Sequence, residues 1–306
     1  MQWPWFFTGC FAVLGAVIGS FLNVCIYRVP LGRSVLRPGS QCACGTPIPW
    51  YHNIPVLAWF FLRGRAACCG RRFSVRYPLV EAVTGVLFAL CWALLPWQQA
   101  LPGMVFAAWL LVLAFIDLDT MLLPDAANIG LALAGVVLSV ALPGLHDAGG
   151  AWPSGTLSAL GGSLTGVVVG TGLLYWFRLL ASVMAGREAM GEGDVILLGG
   201  IGAFCGWQGA VFAVFGGSVI GAAVLTPLAL VRRLCRHSEA EEEGRRAVSH
   251  ASLEGDEEAR APRSGAELGA EVPFGPWLAA GALAWFLFFR TPVAWHLERA
   301  CAVLFR

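Results

Sequence analysis

The chain has 306 residues, 58% of them hydrophobic and 13% charged, with a mean hydropathy of +0.70. So apolar a composition excludes a soluble domain of that length, and no nucleic-acid partner is expected; the chain reads as a polytopic membrane protein. Its net charge of +1 conceals an asymmetry, because lysine is absent and all 20 basic side chains are arginines gathered in a few blocks.

Residues 5–27 form the first apolar run. It lacks the basic leader and small-residue cleavage site of a removed signal peptide, so it reads as a retained membrane helix. Its end, Gly19-Ser20-Phe21-Leu22-Asn23, offers small residues on which a neighbouring helix can pack closely in lipid. From Arg28 to Tyr77 the composition changes abruptly, with eight arginines, five prolines and no acidic residue. Four of the ten cysteines, Cys42, Cys44, Cys68 and Cys69, fall in this small hydrophilic domain, which points to metal or redox chemistry rather than disulfide stapling.

Apolar runs then recur at about 79–95, 102–118, 126–143, 157–177, 195–206, 209–231 and 274–289, which with the first makes eight. The sixth is too short to cross about 30 Å of hydrocarbon at about 1.5 Å per residue, so it either re-enters or extends past Gly206. Residues 239–271 carry ten acidic and four basic side chains with few large apolar ones, and read as a disordered, solvated loop. The expected organisation is an all-α polytopic membrane protein of about eight transmembrane helices. Its parts are a first helix (1–27), a cytoplasmic cysteine- and arginine-rich domain (28–77), a transmembrane core (78–231), a charged loop (232–272) and a last helix with its tail (273–306).

Loop charge orients this arrangement. With the amino terminus outside, segments 28–77, 178–193 and 232–272 are cytoplasmic and hold 8, 2 and 7 arginines, against three on the other side. That partition obeys the positive-inside rule.

Outside the charged loop acidic residues are scarce, which makes the cluster from Ile116 to Asp125 conspicuous at the cytoplasmic end of the third span. Met190-Gly191-Glu192-Gly193-Asp194 opens the sixth span from the same side, so two carboxylate sites reach equal depth. An ionisable group there is costly and marks function. Two close carboxylates cannot both ionise cheaply; one keeps a proton while the other deprotonates a water, the acid and base of aspartic proteolysis. Gly191 and Gly193 fit this chemistry, since glycine permits unusual backbone angles and lets an extended peptide approach the main chain. The plainer alternative has Asp117, Asp119 and Asp125 facing interfacial water and Asp194 capping a helix.

These residues resemble those of the bacterial type IV prepilin peptidases, a family of bifunctional leader peptidases and N-methyltransferases. The resemblance runs through Gly19-Ser20-Phe21-Leu22-Asn23-Val24, Arg28, Trp50-Tyr51-His52-Asn53-Ile54-Pro55-Val56-Leu57, Leu62-Arg63-Gly64 and Arg76-Tyr77-Pro78-Leu79-Val80-Glu81. It continues through the 116–125 cluster, 191–194 and Pro273-Phe274-Gly275-Pro276. It implies an intramembrane aspartyl protease of the bacterial cytoplasmic (inner) membrane that removes the basic leader of prepilins and pseudopilins after a glycine at the cytoplasmic face. The family then methylates the new amino terminus with S-adenosylmethionine. Its catalytic aspartates correspond to Asp117 and Asp194, with Asp119 in reserve. Prepilins and membrane lipids are the implied partners, and Glu192 adds negative potential for a basic leader or is merely solvated.

The chain departs from the family pattern in three places. Two Cys-x-x-Cys pairs, a strong zinc signature, are here Cys42-Ala43-Cys44 and Cys68-Cys69. Four thiolates can still surround zinc, although adjacent cysteines chelate one ion awkwardly; a redox-sensitive cluster and plain structural cysteines stay open. His52 stands where the family has an acidic residue, as a replacement metal ligand or a surface histidine, and Ile196 stands where it tends to have lysine. No glycine-rich nucleotide loop marks an S-adenosylmethionine site. Two other classes compete: a proton- or ion-coupled transporter using the paired aspartates, and a membrane thiol oxidoreductase using Cys68 and Cys69, whose thiols would face the reducing cytoplasm. The pilins cut and the oligomeric state are left open.

Overall fold

In lipid every backbone polar group must find its partner within the chain, so long apolar runs become helices. The structure, a computed structural model, describes residues 4–42, 44–149, 152–186, 188, 190–251 and 273–290, with backbone alone for Pro4 and 232–251. Helix α1 spans Pro4–Arg28 and the short α2 spans Leu57–Phe61. After them come α3 (Arg76–Leu94), α4 (Trp97–Thr120), α5 (Asp125–Ala141), α6 (Ser154–Ala185), α7 (Glu192–Ala251) and α8 (Gly275–Ala284), which continues as a π-helical turn, Trp285–Phe289. The described residues contain no strand, only two isolated bridges in the cysteine domain.

All eight predicted runs fall on helix. Five segments are long and apolar enough to cross a membrane: Trp5–Arg28, Arg76–Leu94, Trp97–Thr120, Ser154–Ala185 and Glu192–Val231. Asp125–Ala141 and Gly275–Phe289 are apolar but shorter. The protein is an all-α, multi-pass membrane protein. The sixth and seventh runs lie end to end in α7, parted at Gly206, whose φ of 70° and ψ of −180° interrupt the helix. Residues 192–205 therefore make a helix of about 20 Å, too short to span alone.

Small residues set the helix spacing. A Cβ on Gly15 would stand 2.7 Å from the Thr84 carbonyl oxygen, and one on Gly19 2.7 Å from Glu81 Cα, so α1 and α3 touch backbone to backbone, as the Gly19 segment suggested. Gly166 of α6 and Gly202 of α7 meet in the same way. The centre belongs to α4, whose Phe106 stacks on Phe204 of α7 at 4.7 Å and tilts against Phe286 at 5.5 Å, all three fully buried.

The break at Gly206 is sealed by side chains at the end of the bundle away from Asp117. The Ala203 carbonyl, just before the break, accepts from the Ser163 hydroxyl at 2.9 Å and from His146 Nε2 at 3.1 Å. His146 lies in the 3-10 turn Pro143–His146, where burial, and then the Arg290 guanidinium, push its pKa down to about 4. It is therefore neutral at physiological pH. Beside it Arg290 reaches Asp147 at 2.8 Å, tying α8's continuation to this turn.

Residues 218–272 form a second compact unit, helical as far as Ala251. Residues 252–272 of the segment expected to be disordered lie outside the described residues.

Candidate active site

Asp117 sits in the last turn of α4 on the face that buries Leu113 and Leu110, one and two turns earlier, and it is 5% exposed. Asp119 comes two residues later, about 200° round the helix, so it must point away. There it is 41% exposed and accepts from Arg76 at 2.6 Å, while Arg76 also caps the Phe115 carbonyl at 3.3 Å and lies over the Phe115 ring. α4 ends where Met121 turns into the left-handed region at φ 51°. The chain then crosses Leu122-Leu123-Pro124 and starts α5 at exposed Asp125.

Asp194 occupies the first turn of α7 and is 8% exposed. The structure brings it within electrostatic range of Asp117. Three contacts fix the pair. The Gly275 N–H, opening α8, donates to Asp117 Oδ2 at 3.0 Å. Asn128 Nδ2 in α5 donates to the Gly193 carbonyl at 3.1 Å. Leu123 fills the gap between Gly193 and Gly275, 2.7 Å from where a Cβ on Gly193 would stand and 3.5 Å from one on Gly275. Four helix ends thus converge on one buried carboxylate pair.

The two loop glycines differ. Gly191 is exposed, with only Asp194 Oδ2, at 4.0 Å, near the place a Cβ would take. Gly193 is closed off by Leu123, so packing requires its missing side chain. Neither adopts positive φ, so the unusual backbone angles expected of them are absent; Gly193 lies in the first turn of α7 and Gly191 just before it. Glu192, its side chain 78% exposed, pairs with Arg178 at 3.0 Å. Ile196 is half-buried.

The bacterial peptidase A24 N-terminal domain matches residues 13–95, and the type IV leader peptidase family matches residues 104–226, which hold both buried aspartates. The prepilin leader peptidase/N-methyltransferase of Klebsiella pneumoniae is 39% identical over 219 residues, covering 68% of this chain and 89% of that one. The chain belongs to the type IV leader peptidase family. Its similarity extends to the enzyme of the same name from Myxococcus xanthus, 41% identical over 235 residues, 72% of this chain and 65% of that one. The Neisseria gonorrhoeae enzyme is 33% identical over 240 residues, 69% and 78% of the two chains. No solved structure matches the chain. The leader peptidase family leaves the transporter reading without support.

In this leader peptidase chain the four clustered cysteines also converge. Their sulfurs all lie within 4.8 Å of one another, with Cys42 Sγ 3.6 Å from Cys69 Sγ and Cys44 Sγ 3.4 Å from Cys68 Sγ. A tetrahedron of metal–sulfur bonds of about 2.3 Å has edges of about 3.8 Å, so the donors fit a metal ion. Two turns present them, each reversing through a glycine at positive φ, Gly45 at 85° and Gly70 at 67°. The awkwardness expected of adjacent cysteines is relieved because each sulfur's short contact is to the opposite turn. The Thr46 hydroxyl, 3.3 Å away, pulls the Cys44 thiol down to about 6, while hydrogen bonding to Cys42 and Cys44 pushes Cys68 up to about 12. His52 is not part of the cluster.

Proposed function

We propose that this protein removes the leader peptide of type IV prepilins and pseudopilins with Asp117 and Asp194, and then methylates the amino terminus so exposed. The observation that carries the reading is the joint burial of these two carboxylates where four helix ends meet. Asp117, held by the Gly275 N–H, is suited to the ionised role, because a backbone donor favours a carboxylate. It takes a proton from water as the water oxygen adds to the scissile carbonyl carbon. Asp194 gives its proton to the leaving nitrogen as the C–N bond breaks. The open space over Gly191 is where an extended peptide reaches the pair. Asp119, engaged with Arg76, stands outside this chemistry.

The arginine partition supports a site facing the cytoplasm at the inner membrane, where a prepilin's basic leader and apolar helix meet. The four cysteines hold zinc as a structural ion; when bound it supplies a closed tetrahedral centre joining the two turns. S-adenosylmethionine, when bound, would supply the methyl group for the amine that cleavage exposes.

Co-expression with a reporter prepilin tests the dyad. The wild type is expected to release the leader, and Asp117→Asn and Asp194→Asn to leave it attached. Cleavage at wild-type rate by either variant would sink the assignment, and a product amino terminus without an added methyl mass would confine the activity to proteolysis.

A further inference from the structure

α6 is 32 residues long and carries a single charged side chain, Arg178. Around it Tyr175, Trp176, Phe177, Leu179 and Leu180 are all exposed and large. A lone cation in so apolar a helix is costly and marks a function, which its partners identify.

The packing of α6 on the first half of α7 fixes where Arg178 stands. Gly166 meets Gly202 and Gly170 meets the Leu198 carbonyl, so the antiparallel register sets buried Leu174 level with Asp194 and Arg178 level with Met190. Arg178 therefore lies one helical turn, about 6 Å, beyond Asp194. That displacement is toward the side that the arginine partition makes cytoplasmic. There its Nη1 donates to Glu192 Oε1 at 3.0 Å, and its Nη2 stands 3.9 Å from Glu188 Oε1. Both carboxylates belong to the segment that leads into Asp194, one on each side of the open position at Gly191.

The partners are unequally placed. The Arg178 side chain is 19% exposed, whereas the two glutamates face solvent beside the path to the aspartates. An ion pair with so exposed a carboxylate is weak, so another cation of the same chemistry exchanges for it readily. An extended peptide advances about 3.3 Å per residue, so about 6 Å corresponds to about two residues from the bond held at the aspartates. Asp119 is no rival for such a cation, because Arg76 engages it.

We infer that Glu192 selects a basic side chain about two residues before the scissile bond, and that Arg178 occupies its carboxylate in the free enzyme as an internal stand-in for that side chain. The inference rests on the leader-peptidase reading above, in which the part of the substrate on the cytoplasmic side of the bond is the leader. Arg178 and Glu192 then set which leaders are cut well, while the aspartate pair does the cutting.

The test uses the purified full-length enzyme in detergent and two reporter prepilins that differ only two residues before the scissile bond, with lysine in one and glutamate in the other. The wild type is expected to cleave the lysine form with a kcat/KM about fivefold to tenfold higher, chiefly through KM. Glu192→Gln is expected to lose most of that preference and Glu192→Lys to invert it, an outcome that misfolding cannot produce. Arg178→Gln removes the internal competitor and is expected to lower KM for the lysine form alone. Equal losses on both substrates in Glu192→Gln and Arg178→Gln would reduce the pair to a clamp on the loop and overturn the inference. A wild type indifferent to leader charge, or a Glu192→Lys enzyme that still prefers lysine, overturns it as well. A wild type that cleaves neither substrate overturns instead the peptidase reading beneath it.

Discussion

Asn128, fully buried in α5, donates its amide to the carbonyl of Gly193, the residue before Asp194, at 3.1 Å. Its Oδ1 has no partner among the described residues, so the side chain is committed to holding that loop. The Gly193 carbonyl, in the first turn of α7, keeps its place in the helix's own hydrogen bonding, so Asn128→Ala removes one additional hydrogen bond, worth about 0.5–1.5 kcal/mol. Asn128→Ala is expected to lower leader cleavage about tenfold through displacement of Asp194. Rates measured on a purified prepilin check this; an unchanged rate would show that the loop keeps its place without the amide.

Gly275 offers a sharper probe of geometry. A Cβ there would lie 2.7 Å from Asp117 Oδ2, closer than real contacts allow, so the carboxylate must move. Gly275→Ala is expected to reduce cleavage about a hundredfold, as displacements near 1 Å do, while the protein still folds. Cleavage kinetics alongside thermal unfolding separate the two effects.

Asp119 and Asp117 should part company under the same substitution. The Arg76–Asp119 pair is 32% and 41% exposed, and such bridges contribute only about 0–1 kcal/mol. Asp119→Asn is expected to retain most of the cleavage rate in the reporter assay. Its inactivity would reopen the choice between the two aspartates.

Metal content follows from the cysteine geometry. Purified protein is expected to carry one zinc per chain by elemental analysis. Chelation should open the two turns, so that trypsin cuts after Arg65, Arg71 and Arg72 far faster than in the loaded protein. Equal protection with and without chelator would reduce the cluster to a structural packing of thiols.

Much of this was legible before any coordinates. Carboxylates at the ends of apolar runs are costly enough to stand out, and arginine counts alone carried Asp117 and Asp194 to one side. The partners that fix them were not. A backbone N–H such as that of Gly275 has no residue-type signature, and Asn128 reads as an ordinary polar residue in the first turns of a helix. Gly193 showed the limit of reasoning from residue type, since a glycine suited to peptide approach proved to accommodate Leu123. The sixth run was ambiguous because only its dihedrals reveal that Gly206 breaks the helix. The cysteine spacing left the metal site open for a related reason: whether four sulfurs converge depends on how two turns face each other, which sequence separation does not encode.

The hydrogen bond from Gly275 to Asp117 spans 158 residues and comes from the helix after the charged segment. During translation both aspartates therefore enter the membrane well before the donor that completes their surroundings exists. A nascent chain halted short of α8 has both aspartates of the proposed pair but lacks the Gly275 donor, so the surroundings of Asp117 are finished only once α8 is made.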